Sequence, residues 1–219
     1  SLARTMPSFR PTFDAELTEL KARVLRTGAE VIDMISAAVE SALKDDPGPA
    51  NRVIAQDDDV DRAEREVLLT AAKLIMKEQP VAADLRRLLA TLGIMGEIER
   101  VADDAVKLAK RALKVSGHFP GELKLALQEM AEMVKHTFAA SLRLYSEFDV
   151  DLCDRILAEE HEVDGKYVEN RRRIYDLIRG EPNETEQLVR VLEVFHALEH
   201  VSDHAVDIAK RLKLHWEGG

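Results

Sequence analysis

The chain has 219 residues, with 31 Lys and Arg against 41 Asp and Glu, a formal net charge of −10 and one cysteine. Hydrophobic residues make up 46%, enough to bury a core and unlike a disordered acidic tail. The single thiol, Cys153, excludes an internal disulfide framework and a multi-thiolate metal site, and is expected to be packed and inert. The acidic balance argues against a nucleic-acid binder, which usually presents a basic face. No apolar run approaches the ~20 residues of a membrane span. Residues 1–7, Ser-Leu-Ala-Arg-Thr-Met-Pro, lack the apolar core of a secretory signal. A soluble protein of a reducing compartment is the expectation.

Prolines at 7, 11, 47, 49, 80, 120 and 182 divide the chain into long stretches with a helical period. In the first, Leu20, Val24, Val31, Ile35, Ala38 and Ala42 recur mostly at steps of three and four, with Gly28 filling one small step. This helix is expected to start near Thr12, with Asp14 and Glu16 favourable in its first turn, and to stop at Asp45-Asp46-Pro47-Gly48-Pro49. The second runs from about Ala50 to Glu78 and is broken by Gln79-Pro80. The third, about 82–115, carries Leu85, Leu88, Leu92, Met95, Ile98, Ala102, Ala105, Ala109 and Ala112 on one face and is closed by Ser116-Gly117. Three more follow at about 121–147, 150–179 and 184–216. Ala, Leu, Glu, Lys and Arg dominate the fillers, and period-two alternation is absent. Short turns between helices of ~40–50 Å imply antiparallel neighbours.

The third and sixth helices repeat one another. Glu99-Arg-Val-Ala-Asp-Asp-Ala-Val-Lys-Leu-Ala-Lys-Arg111 and Glu199-His-Val-Ser-Asp-His-Ala-Val-Asp-Ile-Ala-Lys-Arg211 are identical at eight of thirteen positions, 100 residues apart. Asp57 aligns with Glu160 and Val60-Asp61 with Val163-Asp164 at an offset of 103, and Glu16-Leu17 with Glu122-Leu123 at 106. The expected architecture is therefore all-α: two tandem antiparallel three-helix bundles related by an internal repeat, over residues 10–117 and 120–216.

Acidic pairs recur at i,i+4 on four helices: Asp57/Asp61, Glu99/Asp103, Glu160/Asp164 and Glu199/Asp203. Like charges so placed disfavour a helix by a few tenths of a kcal/mol per pair, about 0.2–0.5. Where helices two and three of each half pack together, two such pairs converge. Convergent carboxylates need protons or cations, and suit hard oxygen-seeking ions, iron or manganese. The alternative is a solvated face balanced by Arg62, Arg100, Lys107 and Lys166. Asp57-Asp58-Asp59-Val60-Asp61 fails as an EF-hand loop, because Arg62 stands where glycine is required and Leu68 where glutamate is required. A ferritin-like centre would want two Glu-x-x-His motifs, and only Glu193-x-x-His196 is present. His196, His200 and His204 line one helix face at i,i+4,i+8. Such imidazoles can hold zinc or nickel, but with no organised second stripe they read as surface or packing residues. His161 is the candidate auxiliary ligand. Phosphate-cradling glycine loops and the Gly-x-Ser-x-Gly nucleophile motif are absent, so no enzyme is expected.

These residues resemble the PhoU family of phosphate-uptake regulators. Phe13-Asp14-x-Glu16-Leu17-x-x-Leu20 is similar to the family's opening, and Gln79-Pro80-Val81-Ala82-x-Asp84-Leu85-Arg86 to its turn into helix three. Glu99-Arg100-Val101-Ala102-Asp103 and Glu199-His200-Val201-Ser202-Asp203-His204-Ala205-Val206-Asp207-Ile208-Ala209 resemble its repeated Glu-Arg-Ile-Gly-Asp-His-Ala-x-Asn-Ile-Ala. The resemblance implies that Asp57, Asp61, Glu99, Asp103, Glu160, Asp164, Glu199 and Asp203 are metal ligands, with iron or zinc favoured and magnesium or manganese as alternatives. It implies a negative regulator of phosphate uptake and of the starvation response, a homodimer that couples a phosphate ABC transporter's ATPase subunit to a phosphate-sensing histidine kinase. The location implied is cytoplasmic, with peripheral association at the inner membrane face. Gln79-Pro80, Arg86 and Arg87 are then candidate contact residues. A metal-free helical adaptor and a carboxylate-metal enzyme are the rival readings. His200 in place of arginine, together with Asp207 in place of asparagine, leads to the expectation that the second site is the more negative.

Overall fold

The computed structural model describes residues 10–115 and 117–218. Residues 1–9, read above for a signal, and Ser116 of the third helix's closing pair lie outside the described residues, as does Gly219. Six α-helices make up the described residues: α1 (Pro11–Lys44), α2 (Pro47–Glu78), α3 (Ala82–Lys114), α4 (Gly121–Ser146), α5 (Val150–Gly180) and α6 (Thr185–Glu217), with a 3-10 turn over Pro182–Glu184 leading into α6. Among the described residues no helix is long and apolar enough to cross a membrane.

The expected boundaries hold except at the start of α2, where Pro47-Gly48-Pro49 belongs to the helix rather than to the loop. Proline is tolerated in a first turn because its missing N–H has no intrahelical acceptor there. Asp46 caps that turn by accepting the Gly48 N–H at 2.9 Å. Asp45 and Gln79 end α1 and α2 in left-handed conformation, with φ of 55° and 45°. Asp149 caps α5, its carboxylate accepting the N–H groups of Asp151 and Leu152.

The six helices form two three-helix bundles, α1–α3 and α4–α6, that pack side by side. α1, α3, α6 and α4 close a ring in which α3 runs along α6 and α1 along α4, while α2 rests on α1 and α3 and α5 rests on α4 and α6. Phe13, Leu17, Ile35, Met95, Phe138 and Phe195 are fully buried within one connected apolar core that draws on every helix. Each such side chain contributes about 1.5–3 kcal/mol on leaving water. The helices are held by this burial rather than by propensity. α1 and α4 pack tightly at Gly28, where an added Cβ would lie 2.6 Å from Leu142 Cδ1. Across the same ring the Tyr145 hydroxyl donates to Thr91 Oγ1 at 2.7 Å, joining α4 to α3.

Candidate functional site

On α2, the apolar positions Val53, Val60 and Val67 are buried against the bundle, and the acids flank that stripe. Asp57 and Asp61 are therefore half-buried at the seam with α3, as are Glu99 and Asp103 beside buried Ile98 and Ala102. Burial, followed by the charges of Asp61, Asp103 and Asp58, raises the Asp57 carboxyl above its ordinary value, against the pull of Lys110. Glu99 is pushed up to about 7 by burial, then by the charge of Asp103 and a hydrogen bond shared with it, then by Glu64 and Asp61. Asp61 and Asp103 thus act on both Asp57 and Glu99. Glu64 joins them as a fifth acid that sequence reasoning missed, although its spacing from Asp57 and Asp61 puts it on their helix face.

The second half repeats the arrangement on α5 and α6. Glu160, Asp164, Glu199 and Asp203 are again half-buried. Burial and then Asp164 raise the Glu199 carboxyl, opposed by His200 and Arg171. Asp203 is pushed up to about 6 by burial and Glu199, with His200 opposing and Asp164 and Glu160 adding to the rise. Arg171 lies 5.6 Å from the centre of the Tyr167 ring, so a cation and an aromatic border this cluster. His161, the expected auxiliary ligand, is exposed on α5. Contrary to expectation, the first cluster is the more acidic. Arg100 turns away to bond Glu97, Glu64 adds a carboxylate, and Asp207 faces a different group of residues altogether.

That third group lies where α3 meets α6. Glu97 and Asp104 occupy the α3 stripe of Ile94, Val101 and Leu108, and are only 1% and 5% exposed. Glu97 Oε1 accepts from Arg100 Nη1 and from Arg211 Nε, both at 3.0 Å. His204 sits between the two acids, with Nδ1 3.4 Å from Glu97 Oε2 and Nε2 3.3 Å from Asp104 Oδ2. Ligating atoms of Glu97, His204 and Asp207 all lie within 4.8 Å of one another, the one such set of three or more among the described residues, and can coordinate a metal ion. None of the eight predicted ligands belongs to it. The missing second stripe for the histidines is on the neighbouring helix. One signal was available: Glu97 and Asp104 break an apolar period seven residues apart. His196 and His200 stay near the rim, their Nε2 atoms 3.1 Å apart.

The profile of the PhoU domain matches residues 24–112 and again residues 127–212. The chain is 28% identical over 201 residues to the phosphate-specific transport system accessory protein PhoU homolog of Rhizobium meliloti, covering 91% of this chain and 85% of that protein. It is 27% identical over 202 residues to the homolog of the same name from Clostridium acetobutylicum, covering 92% of each. Its fold matches the crystal structure of PhoU from Pseudomonas aeruginosa with a TM-score of 0.88 at 25% identity, over 95% of this chain and 100% of that one. The phosphate transport system regulatory protein PhoU from Streptococcus pneumoniae shares the fold at a TM-score of 0.86 and 23% identity, over 95% and 98%. With both halves matched over most of their length, the chain belongs to the PhoU family, whose members are regulatory rather than catalytic.

Proposed function

We propose that this protein is a negative regulator of phosphate uptake and of the phosphate-starvation response, coupling a phosphate ABC transporter, through its ATPase subunit, to a phosphate-sensing histidine kinase. Its role in phosphate regulation follows from the family. The observation that supports the rest is the pairing of two acidic clusters at equivalent places on the outer flanks of the molecule, α2 with α3 and α5 with α6. Carboxylates held half-buried against their own repulsion fit a cation, and all-oxygen donors suit iron, manganese, magnesium or zinc. Asp57, Asp61, Glu99 and Asp103 would hold ions in the first half, and Glu160, Asp164, Glu199 and Asp203 in the second. Iron or zinc is favoured. The ion supplies neutralising charge, and its occupancy sets how the flanking helices present themselves to partners.

Residues 10–117 and 120–216 act as the two repeats of this device. The protein works in the cytoplasm, as a homodimer, with peripheral association at the inner membrane face. The regulatory reading is tested by pull-down of the full chain against the transporter ATPase subunit and the sensor kinase. Retention of both, weakened by Asp61→Ala/Asp103→Ala, is the expected result. Absence of binding to either one counts against the coupling role.

A further inference from the structure

We propose that Glu97, His204 and Asp207 form a separate metal site for a divalent transition ion, set between the two halves of the chain and distinct from the two carboxylate clusters. The cluster is built around oxygens that nothing else satisfies. Glu97 is 1% exposed, and its Oε1 is taken by Arg100 and Arg211, yet Oε2 has no hydrogen-bond partner. Asp104 is 5% exposed; Lys107 lies 3.8 Å from Oδ1, while Oδ2 is likewise without a hydrogen bond. Both spare oxygens face the two nitrogens of a single imidazole, that of His204.

The distances decide what belongs there. A charge-assisted hydrogen bond between an imidazolium nitrogen and a carboxylate is short, about 2.7–2.9 Å. Glu97 Oε2 and His204 Nδ1 stand 3.4 Å apart. Two donors each held about 2.1 Å from a tetrahedral ion are separated by about 3.4 Å. The charge of Asp104 Oδ2, 3.3 Å from Nε2 but not hydrogen-bonded to it, favours the tautomer that carries its proton there, leaving the Nδ1 lone pair facing Glu97. A carboxylate behind a metal-bound imidazole is the usual device for orienting the ring. The third donor argues for a metal ion over a proton. Asp207 pairs with no cation among the described residues, so its charge is left uncompensated by Arg100, Arg211 and Lys107.

The repeat makes this site singular. Positions 97, 204 and 207 correspond at the offset of 100 to Ala197, Asp104 and Lys107, so the same site cannot form a second time. One ligand comes from α3 and two from α6, so a bound ion ties the first half to the second. An imidazole with two carboxylates suits zinc, manganese, iron(II), cobalt or nickel over magnesium or calcium.

The test uses the full chain and cobalt(II) alone as the probe, read by its visible absorption, in a background of Asp61→Asn, Asp103→Asn, Asp164→Asn and Asp203→Asn that removes the flanking clusters. One cobalt per chain with tetrahedral absorption is expected to persist in that background. It should vanish in His204→Gln and Asp207→Asn and weaken about tenfold in Asp104→Asn. Absorption and affinity unchanged by His204→Gln, or lost with the flanking clusters, would overturn the site. Because such variants can unfold, a second measurement keeps the native sequence. With [15N]-histidine-labelled protein and zinc(II), the His204 Nδ1 resonance is expected to move while exposed His161 does not. A His204 ring that stays doubly protonated at zinc saturation would assign the cluster to a buried imidazolium instead.

Discussion

The two halves carry the same acidic motif in different company. In the first, five acids converge between α2 and α3, and Lys110 is the cation felt at Asp57. In the second, four acids converge between α5 and α6, and His200 and Arg171 oppose the rise of Glu199. The residues that make the difference stand at repeat-equivalent positions. Glu64 answers to Tyr167 and Arg100 to His200, and Arg100 spends its charge on Glu97 in the interior instead of on the flank. Net charge read position by position misjudges such a site, because a long side chain neutralises whatever it reaches rather than whatever it adjoins in sequence.

The comparison is most strongly challenged at Glu97, whose counterpart is Ala197. Glu97→Ala removes the shared acceptor of Arg100 and Arg211 and leaves His204 Nδ1 with no facing carboxylate. A destabilisation of about 3 kcal/mol in chemical denaturation is expected. A loss below about 0.5 kcal/mol would mean that the interior network contributes nothing to joining the halves. The next effect is steric. Gly28→Ala places a methyl group against Leu142, costing about 1–2 kcal/mol in the same assay, since the side chain, not backbone, has to give way.

Electrostatic predictions are smaller and have a sign. Glu99 ordinarily loses its proton near 4.5 but is pushed up to about 7 in the folded protein, so between those values the folded chain holds a proton that the unfolded chain has released. Stability in the presence of chelator should therefore fall as pH rises from about 4.5 to about 7. Glu99→Gln should remove that slope and stabilise by up to about 1 kcal/mol at neutral pH, a figure discounted because a partly exposed carboxyl is screened. Asp203→Asn should do the same over a lower window, from 3.8 to about 6, and by less. Thermal melts across pH compare the two halves directly, and a larger gain at Asp203 than at Glu99 would reverse their ranking. Smallest of all, His200→Arg should oppose the rise of the Glu199 and Asp203 carboxyls more strongly and weaken divalent-ion binding to the second cluster a few-fold, read by calorimetry in the Glu97→Gln background that removes the interior site.

Much of this was legible in the chain. Helix limits follow from proline, glycine and the apolar period, and the eight paired acids follow from their spacing, which a helix converts directly into a shared face. Pro47 and Pro49 were misread because a breaker in mid-helix is acceptable in a first turn. Glu97 and Asp104 were missed for a deeper reason. Their partner is His204 across the α3–α6 contact, and period along one helix says nothing about register against another. What the sequence did show, charged residues interrupting the core stripe of α3, becomes informative only once His204 and Arg211 of α6 are known to lie against them.

The most direct test of the carboxylate clusters is elemental analysis of protein purified without chelator, alongside Asp61→Ala/Asp103→Ala and Asp164→Ala/Asp203→Ala. Stoichiometric iron or zinc in the native chain, with each double variant losing its own share and keeping the rest, is the expected result. Equal, sub-stoichiometric metal in all three proteins would contradict the assignment of these acids as ligands.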